Sequence, residues 1–245
     1  IVLKYAEKGS LRQNLSYVSQ MEWKKKLNLL HCIVTDLEAI HSQGMIHRDL
    51  HSGNILQDTL DSAYIVDLGL SMSSNEKKEG EEICGILPYI DPQVLLGQNY
   101  SQTADIYSFG IIMWEVLYGI TISYIVNKSK NEADLQLRIC CDGLRPPINK
   151  EATSCYVDLM EECWSKDPKI RPSAEKLCEI FKKWQYDENI LLELNKSKIK
   201  LENIEKSYVD MISKGSKFYP HTKSIFEDQL LIMDCKSWPS MNKII

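Results

Sequence analysis

No Gly-x-Gly tripeptide and no Cys-x-x-Cys pair occurs anywhere in the 245 residues. The first absence leaves out the common signature of a loop that wraps backbone amides around a phosphate. The second leaves out the usual zinc and dithiol spacings. Eight cysteines are nevertheless present, at positions 32, 84, 140, 141, 155, 163, 178 and 235, and five of them stand in stretches that read as helical. That pattern suits reduced, mostly buried thiols better than a disulfide framework, so an intracellular, cytoplasmic protein is expected. Long apolar runs are missing too. The best, Phe109 to Ile120, is interrupted by Glu115 and falls short of the ~20 residues that a membrane-spanning helix needs. Positive charge is not in excess: 34 acidic against 29 basic side chains leave a formal charge of −5, which argues against a nucleic-acid-binding surface. There are no internal repeats and no low-complexity tracts. A hydrophobic content of 44% is enough for a substantial core.

What is there centres on His47-Arg48-Asp49-Leu50-His51-Ser52-Gly53-Asn54, followed by the apolar pair Ile55-Leu56 and, after a short hairpin, by Asp67-Leu68-Gly69. The two motifs, ordered and spaced in this way, resemble the catalytic loop and the magnesium-binding triplet of eukaryotic protein kinases. The resemblance implies ATP and Mg2+ as cofactors and a protein substrate. It makes Asp49 the group that orients and accepts the proton of a hydroxyl, and makes Asn54 and Asp67 the magnesium ligands. Arg48 is implied to meet a phosphorylated activation segment, and His47 to be structural. Leu68 in place of the usual Phe is an apolar exchange of similar volume.

The flanking segments extend the resemblance. Ile1 to Tyr5 is β-branched and apolar, then turns polar at Glu7-Lys8-Gly9-Ser10. In this position it resembles the kinase hinge. Leu3 becomes the gatekeeper, Lys4 and Ala6 offer their backbone to adenine, Ser10 lies near the ribose, and Leu56 packs under the adenine ring. Trp23, Leu27, Leu30, Val34, Leu37 and His41 recur at helical steps and predict a helix that Gly44 ends. His31 and His41 read as packed helical residues, since no partner stands at metal spacing. Ile55-Leu56, a turn over Asp58 to Asp61, and Ala63 to Val66 predict the hairpin.

The polar stretch from Leu70 to Cys84 matches an activation segment, with Ser73 and Ser74 as candidate phosphate acceptors for an upstream kinase. It closes on Asp91-Pro92-Gln93, where the family carries Ala-Pro-Glu. That Glu pairs with an Arg matched here by Arg171. Gln93 can accept one hydrogen bond but loses charge assistance and bidentate geometry, so a weakened lock on the segment is expected. Ile86 replaces the threonine found in many serine/threonine kinases. Thr103 reads as the N-cap of an apolar helix running to Leu117, with Asp105 in its first turn. In the family this Asp braces the catalytic loop from beneath. Helical patterns follow over Glu132 to Cys140 and Ser154 to Trp164. The string Trp164-x-x-Asp167-Pro168-x-x-Arg171-Pro172 resembles the tyrosine-kinase-like branch, and Ser173 caps a helix through about Trp184.

The fold class expected is therefore mainly α with short β-hairpins: the C-terminal lobe of a kinase, whose parent fold is α+β with two lobes. Residues 1–184 form that domain, and residues 185–245 a helical, then irregular tail with a stripe over 190–212 that would suit a helical partner. No Gly-rich loop and no paired strand lysine are present, and the chain opens on Ile1 within the hinge strand. A fragment, or an incomplete gene model, is the expectation. Two functions follow. One is a protein kinase, weakly favouring Ser/Thr because His51 stands for lysine without the tyrosine-kinase pattern. The other is a pseudokinase or truncated lobe serving as a scaffold. Retention of Asp49, Asn54 and Asp67 favours the first.

Overall fold

The computed structural model describes residues 6–74, 83–123, 132–149 and 152–196. Leu3 and Lys4, with the rest of the expected hinge strand, lie outside these residues, as does the tail from 197 on. The order of elements is α1 (Leu11–Val18), α2 (Trp23–Ser42), β1 (Met45–Ile46), β2 (Ile55–Thr59), β3 (Ser62–Ile65), β4 (Met72–Ser73), α3 (Pro92–Leu95), α4 (Gln102–Tyr118), α5 (Glu132–Cys140), α6 (Ser154–Cys163), α7 (Ala174–Trp184) and α8 (Glu188–Asn195). The fold is mainly helical with two small antiparallel sheets, in agreement with the fold class expected from the sequence.

The helix α4 is the axis. Every residue from Ala104 to Tyr118 is buried, as an apolar pattern on all sides requires. It packs against α6, and the approach is close because of Gly110: a Cβ there would lie 2.9 Å from the Cβ of Cys163 and 3.3 Å from the Met160 carbonyl. A side chain at that position would push the two helices apart. The helix starts two residues before the sequence suggests, with Ser101 rather than Thr103 at the N-cap position in an extended conformation. The Thr103 hydroxyl lies 2.7 Å from that of Ser101.

The stripe predicted on α2 is the face it buries: Trp23, Leu27, Leu30, Val34 and Leu37 all enter the core, and the helix lies along α7. Trp23 meets Tyr156 of α6 edge to face at 5.0 Å, and Phe181 of α7 meets Phe109 of α4 at 6.0 Å. Burying each such side chain contributes about 1.5–3 kcal/mol. Helix α8 belongs to the same core, with Leu194 fully buried. The part of the 190–212 stripe that the structure describes is thus docked on its own domain.

The two sheets frame the loop that follows α2. In the hairpin, Ile55 pairs with Ile65 and Leu56 with Tyr64, and the strand runs further than the sequence predicts, leaving only Leu60 and Asp61 to turn. β1 and β4 pair across 26 residues of chain, Met45 with Ser73 and Ile46 with Met72. Residues 47–54 and 67 are therefore held between two short ladders.

Candidate active site

Three donors converge on one carboxylate beneath the loop. Asp105 accepts the backbone N–H of His47 at 2.8 Å, that of Arg48 at 2.9 Å, and Nε2 of His41 at 2.9 Å. The group is 1% exposed. Two successive amides aimed at one carboxylate turn the chain sharply, and Arg48 sits in the left-handed region at φ 73°. A non-glycine residue holds such a conformation only when its surroundings over-determine it; the Asp105 carboxylate does so here.

His47, fully buried, joins the two motifs. Its Nδ1 accepts the Asp49 N–H at 3.3 Å, which leaves the ring proton on Nε2 to meet the Val66 carbonyl at 3.1 Å. Val66 precedes Asp67, and its own amide donates to the Asn54 carbonyl at 2.9 Å. Asp49, Asn54 and Asp67 are thus brought to one place through backbone. Asn54 spends its amide hydrogens on the Asp49 carbonyl (2.9 Å) and on Asp49 Oδ2 (3.0 Å). The other carboxylate oxygen, Oδ1, is buried with no hydrogen-bond partner. Burial disfavours charge on Asp49, but His51, Asn54 and His47 more than offset it, and its pKa falls below the ordinary carboxylate value. An ionised carboxylate with one oxygen held and one left without a hydrogen bond is suited to accept a proton.

The donor set fits magnesium. With both amide hydrogens of Asn54 engaged, the oxygen left to it is an acceptor. Asp67, itself in the left-handed region at φ 64°, has an exposed carboxylate that accepts a long bond from Gly69 N–H, 3.3 Å. Two hard oxygen donors, with phosphates and water to complete the shell, are what Mg2+ takes. Among the described residues no group of three or more His, Cys, Asp or Glu is arranged to hold a metal by itself.

On the side away from Asp67, an isolated antiparallel bridge joins Ser10 to Leu56, and Lys8 and Gly9 exchange backbone hydrogen bonds with Gln57. The residues assigned to ribose and adenine are thereby neighbours. Ala6 is buried and its carbonyl accepts Gly9 N–H at 3.2 Å.

The segment between Asp67 and α4 corrects one expectation. Arg171 does not meet Gln93. Its Nη1 and Nη2 make a bidentate pair with the two carboxylate oxygens of Asp91, Nη2 to Oδ1 at 2.9 Å, with both side chains nearly fully buried. The guanidinium also donates to the Ser165 and Thr103 carbonyls. Gln93 points elsewhere, its amide reaching the Lys166 carbonyl at 3.4 Å. The lock is displaced by two residues and keeps its charge assistance, because Asp91 precedes Pro92 at the N-cap of α3 and also accepts Gln93 N–H at 2.9 Å.

Arg48 lies over the ring of Tyr100 at 4.5 Å, and the Tyr100 hydroxyl donates to the Cys84 carbonyl at 2.7 Å. Ser73 is drawn into the ladder beside Met45, and Ser74 N–H donates to the Gly44 carbonyl at 2.8 Å. A second buried carboxylate of α4, Glu115, accepts both the Tyr89 hydroxyl and Ile122 N–H through Oε1, the latter at 2.8 Å. Sequence reasoning passed over His41, Asp91 and Glu115. The available signals were a helical His four residues after Leu37 and six before His47, and two carboxylates in otherwise apolar surroundings.

Comparison with known proteins agrees with this geometry. A model of the protein kinase domain matches residues 1–183. A serine/threonine-protein kinase/receptor of Acanthamoeba polyphaga mimivirus is 32% identical over 184 residues, covering 71% of this chain and 11% of that protein. A LIM domain-containing serine/threonine-protein kinase of Dictyostelium discoideum is 30% identical over 196 residues, 80% of this chain and 29% of its own length. The Arabidopsis thaliana serine/threonine/tyrosine-protein kinase HT1 is 27% identical over 190 residues, 77% and 47% respectively. The chain spans less than half the length of each of these relatives.

Proposed function

The chain belongs to the protein kinase family, and we propose that its site transfers the γ-phosphate of ATP to a hydroxyl of a protein, with serine or threonine favoured over tyrosine. The observation that carries this is Asp49: a buried, ionised carboxylate with Oδ2 held by Asn54 and Oδ1 without a hydrogen bond among the described residues. As the hydroxyl oxygen bonds to phosphorus and ADP departs, Oδ1 receives the hydroxyl proton. Asp105 holds the His47 backbone and His47 holds the Asp49 backbone from below. Magnesium held by Asn54 and Asp67 would neutralise charge on the phosphates. The preference for serine or threonine rests on the names of the relatives and on the absence of a tyrosine-kinase pattern after Leu50. The Trp164 to Pro172 string supports the tyrosine-kinase-like group, and participation in intracellular signalling follows from that reading.

The 245 residues hold the nucleotide from one side only, for they contain no Gly-x-Gly loop. Phosphoryl transfer is almost wholly positioning and electrostatic stabilisation. We infer that residues 1–245 alone bind ATP weakly and transfer no phosphate. The loss of a main phosphate grip, about 4 kcal/mol, slows transfer roughly a thousandfold.

The test uses the full-length protein that carries these residues. Asp49→Asn should abolish transfer to a protein acceptor while ATP affinity stays within a few fold. Asp67→Asn should instead weaken magnesium-dependent nucleotide binding. Parental turnover in folded Asp49→Asn protein would overturn the assignment, and a parent that binds without turnover would leave a scaffold.

A further inference from the structure

His51 occupies an unusual place in the loop. Its Nδ1 accepts the N–H groups of Gly53 at 3.0 Å and Asn54 at 3.2 Å, and Nη2 of Arg12 lies 3.4 Å from the same atom. Three donors facing one nitrogen leave no room for a proton there, so the ring's hydrogen is on Nε2. That Nε2 lies 3.6 Å from Oδ1 of Asp49, the oxygen without a hydrogen bond. The separation is a few tenths of an ångström beyond hydrogen-bond range, as contacts at catalytic groups often are before substrate arrives.

The ring is also wedged. A Cβ at Gly53 would come 2.7 Å from His51 Cε1 and 2.8 Å from Nδ1. Only glycine at 53 lets the imidazole fold back over the short helical turn it caps. Tyr89 closes the other side at 5.9 Å. Side chain and backbone together therefore aim one N–H at the unpaired oxygen of the base.

We propose that His51 is a positioning residue for the catalytic base, its Nε2–H fixing the orientation of the Asp49 carboxylate so that Oδ1 faces the incoming hydroxyl. The inference rests on the kinase reading of Asp49. It assigns His51 two separable tasks: Nδ1 caps the loop, and Nε2 aims the carboxylate.

Asparagine separates them. In His51→Asn the side-chain oxygen can still accept the Gly53 and Asn54 amides, but nothing reaches Asp49. The experiment measures kcat, KM for ATP and thermal midpoint in the full-length protein for His51→Asn, His51→Ala and Gly53→Ala, with Asp49→Asn alongside. His51→Asn should keep its midpoint near the parent and its KM for ATP within twofold, yet lose about 100-fold in kcat, as misplacement by ~1 Å can cause. His51→Ala should lose both midpoint and kcat. Gly53→Ala keeps the imidazole but displaces it, and kcat should fall at little changed KM. Parental kcat in His51→Asn would show that His51 only caps the loop and overturn the proposal. Should that variant not fold, parental kcat in Gly53→Ala does the same. The kinase reading fails separately, through an Asp49→Asn protein that remains active.

Discussion

Asp105 and Asp91 are both nearly fully buried, both sit at the start of a helix, and both fix a loop, yet they do it through different partners. Asp105 takes two backbone amides and an imidazole. Asp91 takes a guanidinium. The difference matters because backbone donors exist at every residue, so what Asp105 needs is only a loop of the right length passing above it. A guanidinium is one side chain on a flexible stem, and any carboxylate within its reach will serve. Position is strict in the first case and negotiable in the second.

The largest effect expected is at the negotiable site. Asp91→Ala leaves Arg171 charged, buried and without its anion, and also removes the bond to Gln93 N–H. Breaking one side of a buried pair costs about 3–5 kcal/mol, so the urea midpoint should drop steeply. Replacing both partners with apolar residues should be much milder, since no lone charge remains. Equal losses in the single and the double variant would show that packing, not charge, holds this corner.

Asp105→Ala comes next, at roughly 2–4 kcal/mol, because two buried amides and the His41 ring lose their acceptor. In the full-length protein its mark should lie on function: with Arg48 no longer held at positive φ, the loop relaxes and kcat falls further than stability alone explains. A variant destabilised as Asp91→Ala is, but with normal kcat per folded molecule, would place Asp105 among merely structural carboxylates.

This contrast also accounts for what was legible beforehand. The Asp49, Asn54 and Asp67 pattern could be read because its distances are set by backbone: the His47 bond to Val66 and the Asn54–Val66 amide bond require that number of intervening residues. The stripe of α2 and the all-round burial of α4 were readable for the same reason, being periodic. Gln93 was misjudged because a motif comparison tracks columns, whereas Arg171 found a carboxylate two residues earlier. Thr103 was misjudged as a cap because Ser101, equally able to cap, stands two residues before it. His41 gave no sign of its role, since the partner that defines it is 64 positions away. Ser73 gave none of its pairing with Met45, which is long-range as well.

A third carboxylate sharpens the comparison with a smaller effect. Glu115 shares α4 with Asp105, but its Oε1 takes the Tyr89 and Ile122 bonds, while among the described residues Oε2 is buried without a hydrogen-bond partner. Burial raises its pKa above the ordinary glutamate value of 4.5, against the opposing hydrogen bonds from Tyr89, Ser52 and Ile122 and the charge of Arg12. A raised folded-state pKa means that its contribution to stability is full below the unfolded value and is lost as pH rises through the folded one. Glu115→Gln keeps an acceptor for Tyr89 and Ile122 and removes that dependence. The variant should match the parent near pH 4.5 and gain on it, by about 1 kcal/mol, toward pH 8. A constant difference across that range would mean Glu115 is charged throughout.

The smallest effect belongs to Gln93, and it is the sharpest on the question of where the lock resides. Among the described residues its side-chain hydrogen bond is a 3.4 Å one to the Lys166 carbonyl at the surface, so Gln93→Ala should change stability by less than about 0.5 kcal/mol. If position 93 still carried the lock, as the family pattern implies, the loss would approach that of Asp91→Ala. Restoring the family residue should likewise do little for the intact protein, because in Gln93→Glu the guanidinium is already bidentate on Asp91 and donates two further hydrogens to Ser165 and Thr103. Only in the Asp91→Ala background does a glutamate at 93 have something to gain. There it should recover about 1 kcal/mol of the lost stability, since a carboxylate one helical residue beyond Pro92 can approach Arg171 but must be desolvated to do so. Urea midpoints of the four proteins measure this directly. A full recovery would make the two positions interchangeable, whereas a Gln93→Glu gain in the presence of Asp91 would show that the pair described here is incomplete.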